Sequence, residues 1–247
     1  VCSPHGSSSY TDGSATSASN SGAISNATNY QIVGSKSTRT LEEMKGKTIG
    51  VTGAGAFSDF AMRTFLRRKG IDPDKDLMLR AIGGSNLRAS ALEKGIVAAA
   101  PFAPDDTVRL TRLGFPMIAN LSDTLAIPQT ILTARNEFLE KSPETAKGFL
   151  KALILGIQLA KFNKADAIKA GFEAKLQGEP ELVNLAYDLY APALSGDLSM
   201  NISGLQFMLD EDKRNGLIDA KFTLDRVVND KLLKIAQQEL RAEGRLK

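Results

Sequence analysis

Residues 51–58, Val-Thr-Gly-Ala-Gly-Ala-Phe-Ser, set two glycines and two hydroxyls between an apolar run and an amphipathic one. A turn of this kind leaves backbone N–H groups without internal acceptors at the start of a helix. The helix dipole adds roughly half a positive charge at the same place. The chemistry on offer is anion binding by Thr52, Gly53, Ala54, Gly55, Ala56, Phe57 and Ser58. A second turn, Ile82-Gly83-Gly84-Ser85-Asn86, repeats the arrangement and offers Gly84 and Ser85. A third, Ala-Pro-Phe-Ala-Pro at 100–104, places Phe102 and Ala103 between prolines, with Phe102 as an expected aromatic wall. The first turn fails the dinucleotide fingerprint. Its third glycine position holds Ser58, preceded by the bulky Phe57, and the acids that follow, Asp72, Asp74 and Asp76, fall in a polar loop after Gly70. No Gly-Lys-Ser/Thr follows, so it is not a P-loop either.

The chain has one cysteine, Cys2, and one histidine, His5. These cannot build a disulfide framework or a Cys/His zinc site, and they leave no Ser-His-Asp or Cys-His plan unless His5 leaves its polar surroundings to serve. No catalytic residue, metal site or cofactor is expected, and the chain reads as a non-enzyme. Cys2, before a Ser/Gly-rich run, fits either an acylated lipoprotein cysteine or an incidental thiol. The net charge of +3 over 247 residues gives no reason to expect nucleic acid. A hydrophobic share of 43% is enough for a core. No apolar run approaches the roughly 18 residues of a membrane span.

The elements that must position the turns read as follows. Residues 1–29 hold nine serines, and Asp12 is their only charged side chain. They are expected to be a linker or a poorly packed segment. From Tyr30 the chain alternates strand and helix: YQIV, a strand at 48–51, a helix at about 58–69 stopped by Gly70, DLMLRAIGG, a helix with Ser85 as N-cap and Gly95 past its end, IVAAAPFAP and GFPMIANL. This is the signature of a parallel sheet with helices on both faces, and it puts the three turns on one rim, at strand carboxyl ends. The second half is mostly helical. Ser142-Pro143 opens a long helix whose stripe of Ala146, Phe149, Leu150, Leu153, Ile154, Ile157 and Ala160 is expected to be core. Helices follow at about 166–176, 180–190 and 203–215, and one capped by Thr223 reaches about Ala242. Tyr187 and Tyr190 read as packing residues, and the acidic run 210–212 as a solvated helix face.

The segments TLEEMKGKTIGV, AIGGSNLRASALEKGIVAAAPFAP, IPQTILTARNEFLEKSPETAKGFLKALILGIQLAK and YAPALS resemble the periplasmic substrate-binding proteins of nitrate/sulfonate/taurine-type ABC importers, over about residues 30–215. The resemblance implies a type II periplasmic-binding-protein-like clamp of two α/β domains, with a small anion of the sulfonate, nitrate or carboxylate class in the cleft. Residues 36–127 would form the second domain. YQIVGS and IPQTIL would be hinge strands, and 30–35 with 128–247 would make up the hinge and the rest of the first domain. Gln129 and Thr130 complete the candidate ligand set. A membrane permease is the implied partner and an extracytoplasmic or lipid-anchored location the implied address.

The sequence departs from this family at two points. An acid usual after the second helix is replaced by Val97. Only about thirty residues precede the first hinge strand, where the family has many more. The first domain is therefore expected to be incomplete, with residues 1–29 its remnant, and an exposed sheet edge is expected to promote weak self-association. Two further readings share the fold or its ligand: a pyrimidine-precursor-synthase-like enzyme, which needs more Cys and His than this chain has, and the ligand-sensing domain of a regulator.

Overall fold

The computed structural model describes residues 18–174 and 178–246. The expectations for Cys2, His5 and most of the serine-rich run lie outside the described residues. The chain divides into two compact units. One comprises 28–125 and 178–192, the other 18–27, 126–174 and 193–246.

The unit containing 28–125 is built on a five-stranded sheet. Its strands are β2 (Gln31–Gly34), β3 (Thr48–Val51), β4 (Met78–Ala81), β5 (Ala99–Phe102) and β6 (Met117–Asn120), in the order β4-β3-β5-β2-β6. β3 runs parallel to β4 and β5, as the alternation predicts. The sheet is nevertheless mixed and not parallel, because β2 pairs antiparallel with both β5 and β6. All four β2 residues are buried, and the strand lies inside this sheet between β5 and β6. Gly34 is required there: a Cβ would stand 1.9 Å from the Thr38 carbonyl oxygen.

Helix α1 (Phe57–Arg68) buries Phe57, Phe60, Ala61, Phe65 and Leu66 together with Ser58, Asp59, Met62 and Thr64, so nine of its twelve residues are buried and it is enclosed on more than one face. It ends at Gly70, whose φ of +75° suits glycine, while the Ile71 N–H returns to the Leu66 carbonyl at 2.9 Å. α2 (Ser85–Glu93) and α3 (Pro104–Arg112) follow β4 and β5. Their inner faces meet the sheet in a core of Val33, Ala89, Leu92, Val97, Ala100, Phe102 and Leu110. Residues 178–192, read from sequence as part of the 128–247 block, group with this unit. There α7 (Pro180–Tyr190) packs on α3, and Arg112 pairs with Glu179. Burial raises the pKa of the Tyr190 hydroxyl.

In the other unit β1 (Ala18–Ser25) pairs antiparallel with β7 (Thr130–Arg135). Ser19, Ser21, Gly22, Ala23 and Ser25 are buried, so part of the segment expected to pack poorly is a well-packed strand. Its small side chains suit a crowded position that large ones could not occupy: a Cβ on Gly22 would meet the Leu198 carbonyl oxygen at 3.2 Å. α5 (Pro143–Phe162) begins after Ser142 with Pro143 in its first turn, as the Ser-Pro pair predicts, although the Ser142 side chain makes no capping bond. It buries Ala146, Leu150, Ile154 and Ile157, while Leu153 and Ala160, also expected in the core, are only half-buried. Phe149, expected in the core, is 61% exposed, because it sits about 100° around the helix from the middle of the buried face.

α5 packs on α9 (Lys231–Ala242), with Lys147 and Lys151 both reaching Glu239. α6 (Lys164–Glu173) and α8 (Ile202–Arg214) occupy the predicted regions. Thr223 does not cap α9; it precedes a short 3-10 turn at Leu224–Arg226, and α9 starts eight residues after Thr223. The acidic run in α8 is not a solvated face throughout. Glu211 is buried and pairs with Arg214, and burial, with Glu211 beside it, pushes the Asp212 carboxyl up to about 6.

Candidate functional site

The sheet order places the carboxyl ends of β4, β3 and β5 side by side, so the three turns at 52–56, 82–84 and 103 share one rim. Gln31 pairs opposite Phe102, which brings the start of β2 to the same rim. Gln31 is fully buried. Its amide Nε2 donates to the Asn29 carbonyl (3.0 Å) and to Asn120 Oδ1 (3.2 Å), and its Oε1 accepts from the Thr107 hydroxyl (3.1 Å). This fastens the ends of β2, β6 and α3 together.

The turn after β3 is braced from within. Thr52 N–H donates to Ser58 Oγ (2.9 Å), Gly55 N–H to the Asp59 carboxylate (2.9 Å) and Ala56 N–H to the Gly53 carbonyl (3.2 Å). Ala56, and not Ser58, occupies the N-cap position; Ser58 is buried in the first turn of α1. Asp59, 5% exposed, also pairs with Arg63 Nε at 2.9 Å. The N–H groups of Gly53, Ala54 and Ser58 meet no acceptor among the described residues. Gly55 has φ +72°, a conformation that favours glycine.

The turn after β4 differs. Gly84 is the N-cap of α2 and Ser85 its first residue, with no side-chain cap. The N–H groups of Ser85 and Asn86 meet no acceptor among the described residues. The first turn of α2 carries no acid, whereas that of α1 has Asp59 and that of α3 has Asp105 and Asp106. α3 also opens on Pro104, which has no N–H to offer.

One residue ties the three turns together. Arg88, 3% exposed, donates from Nε to the Pro101 carbonyl (3.2 Å). From Nη1 it donates to the Thr52 hydroxyl (2.7 Å) and the Gly83 carbonyl (2.8 Å). Its guanidinium lies over the Phe102 ring, 5.6 Å from the centroid. Burial pulls its pKa below the ordinary arginine value, with Tyr30 and Asp106 opposing; an arginine remains a cation at neutral pH all the same. The Tyr30 hydroxyl is pushed up by burial and drawn back by Arg88.

The rim therefore collects Thr52, Gly53, Ala54, Gly55, Ala56, Phe57, Ser58, Gly84, Ser85 and Ala103 in one unit. Phe102 belongs to the same strand end, but its side chain is fully buried. It backs Arg88 from the core and does not line an open wall. Gln129 and Thr130 lie in the other unit, where Thr130 opens β7 and its N–H donates to Ser25 Oγ (3.0 Å). Arg88 and Gln31 escaped the sequence reading. In SNLRASALEKG the arginine shares a short helix with one glutamate and one lysine, the pattern of a surface charge. Its position three residues after Ser85, on the side that Ala89 and Leu92 bury, was the available signal. Among the described residues there is no group of three or more His, Cys, Asp or Glu that could hold a metal ion, and no helix long and apolar enough to cross a membrane.

A sequence model of the NMT1-like family matches residues 6–171. No curated protein matches the chain. Among solved structures, the periplasmic sulfonate-binding protein SsuA from Methylobacillus flagellatus KT aligns over 93% of this chain and 72% of its own, at 17% identity and a TM-score of 0.72. The alkanesulfonate-binding protein SsuA from Xanthomonas axonopodis pv. citri, bound to MOPS, aligns over 90% and 73%, at 19% identity and a TM-score of 0.64. The desulfurization enzyme DSZB aligns over 90% and 80%, at 13% identity and a TM-score of 0.66. At these identities the likeness is one of fold: this chain has the α/β periplasmic-binding-protein fold, which serves binding proteins and at least one enzyme.

Proposed function

The chain belongs to the NMT1-like family, and on that footing we propose that it is the extracytoplasmic solute-binding component of an ABC importer. Its solute is a small anion of the sulfonate, nitrate or carboxylate class, and its partner is the membrane permease. The observation that carries the reading is the rim at the ends of β4, β3 and β5. There the N–H groups of Gly53, Ala54, Ser85 and Asn86 meet no acceptor among the described residues, and a buried cation, Arg88, bonds to both turns. Such donors hold an anion without transforming it. The solved relatives named for sulfonate binding make sulfonates the first class to test.

The enzyme reading is less well supported. The rim residues named here include no histidine or cysteine, the Asp59 carboxylate beside them is buried and committed to Gly55 N–H and Arg63, and the chain's one Cys and one His stand at positions 2 and 5. Titration calorimetry of the whole chain with methanesulfonate, nitrate and acetate tests the proposal. Saturable binding of at least one of the three is expected. Binding of none of them, or turnover of a sulfonate into inorganic sulfite, overturns it.

A further inference from the structure

Arg88 presents an imbalance that the fold alone does not account for. A buried cation is costly unless it is paired and its donors are satisfied. Arg88 is 97% buried, yet no carboxylate lies within ion-pair distance of it among the described residues. Asp106 acts on it only at longer range. Arginine carries five N–H donors. Nε and Nη1 account for three of them, through Pro101, Thr52 and Gly83. Nη2 makes no hydrogen bond among the described residues and is not one of the sealed, unsatisfied buried atoms. It is therefore not sealed from solvent, and it sits beside the Gly83 turn whose carbonyl Nη1 already holds.

That turn opens α2, a helix of nine residues with no acid in its first turn, where the Ser85 and Asn86 N–H groups meet no acceptor among the described residues. The neighbouring helix starts are compromised: α1 by Asp59, α3 by Pro104, Asp105 and Asp106. Gly84 stands in front of α2 with ordinary backbone geometry, φ −59°, and a Cβ added there would meet nothing within 4 Å.

Resting on the solute-binding reading above, we propose that Arg88 Nη2 is the counter-charge of the bound anion, and that the anion sits at the start of α2, over Gly84 and Ser85, instead of in the glycine turn 53–56. The donors there are the two N–H of Nη2 and two backbone N–H, which suits an oxyanion presenting at least two terminal oxygens. Spherical halides can use only part of this set and bind poorly. The Phe102 ring supports the guanidinium from behind, and the three bonds to the turns fix its plane, so the fork is in place before the ligand arrives.

The experiment compares the whole wild-type chain with Arg88→Gln, Arg88→Lys and Gly84→Ala by titration calorimetry. The probes are methanesulfonate, nitrate and acetate, with uncharged methanesulfonamide as the control, and thermal melts are run alongside. Arg88→Gln is expected to weaken the best-bound anion by about 100-fold or more and to erase the preference for sulfonate over sulfonamide. Arg88→Lys, which keeps the charge and loses the fork, is expected to weaken it by about tenfold while keeping that preference. A residue that only braces the turns would change affinity for anion and neutral isostere alike. Gly84→Ala is expected to melt like wild type and to lose about tenfold in anion affinity; it carries the test if Arg88→Gln fails to fold. An unchanged affinity in Gly84→Ala and Arg88→Lys, or a retained anion preference in Arg88→Gln, overturns the assignment of Arg88 and leaves solute binding standing. A wild-type chain that binds none of the three anions overturns both.

Discussion

Two turns of the same unit, 52–58 after β3 and 82–88 after β4, share a plan of strand, glycines, serine and helix, yet their donors are disposed of in opposite ways. In the first, Ser58 and Asp59 fold back and take the N–H groups of Thr52 and Gly55. In the second, no side chain returns to the helix start; instead a buried arginine reaches across to the first turn through the Thr52 hydroxyl. On the proposed assignment, the helix that follows decides which glycine-rich turn takes the anion, because a carboxylate in the first turn competes for the same dipole and the same donors.

The contrast can be broken most sharply by moving an acid. Ser85→Glu places a carboxylate at the start of α2, where the dipole tolerates or favours it, so the protein should melt at or above the wild-type temperature. A like charge next to the bound anion should cost about 4 kcal/mol, near a thousandfold in affinity by calorimetry. Ala54→Glu, on the exposed part of the first turn, should cost far less; equal losses from the two variants would erase the distinction.

Next in size is Asp59→Asn, which removes the charge that Gly55 N–H and Arg63 share. Denaturant unfolding should show a loss of about 1.5–3 kcal/mol, the worth of a hydrogen bond to a charged group. Anion affinity should hold or rise, since a nearby negative charge is gone. A fall in affinity larger than the fall in stability would mean that the ligand uses the first turn.

Gly53→Ala makes the complementary comparison with Gly84→Ala. Neither added Cβ meets an atom within 4 Å. The Gly53 variant should leave affinity within about twofold, against the roughly tenfold expected for Gly84. The smallest effect belongs to Ser58→Ala. Its hydroxyl serves Thr52 N–H, so the variant should lose about 1 kcal/mol of stability in denaturant melts and almost nothing in binding.

Much of this architecture was legible in the residues. Strand-helix alternation gave the rim, because parallel strands put their carboxyl ends on one edge. Gly70 marked the end of α1, while the burial of nine of its twelve residues depends on what surrounds the helix. What the sequence did not disclose was long-range. The antiparallel β2 looks like any short apolar strand, since four residues carry no sign of direction. The fate of Arg88 depends on Thr52, 36 positions away, and on Pro101, 13 away. Phe102 looked like a wall because prolines flank it, and burial by Ala89, Leu92 and Leu110 from two helices could not be read locally. Phe149 fell outside the core because a stripe read as one face was wider than the surface available to bury it.

The internal bracing of the first turn has a consequence for its amide protons. Those of Thr52, Gly55 and Ala56 are held by Ser58, Asp59 and the Gly53 carbonyl, while those of Gly53 and Ala54, lying between them, are held by nothing among the described residues. Hydrogen exchange along five consecutive residues should therefore run slow, fast, fast, slow, slow, a pattern set by side chains and not by distance from a helix or strand. The turn thus carries its own spectroscopic gauge, in which the two fast protons respond only to a molecule seated directly upon them.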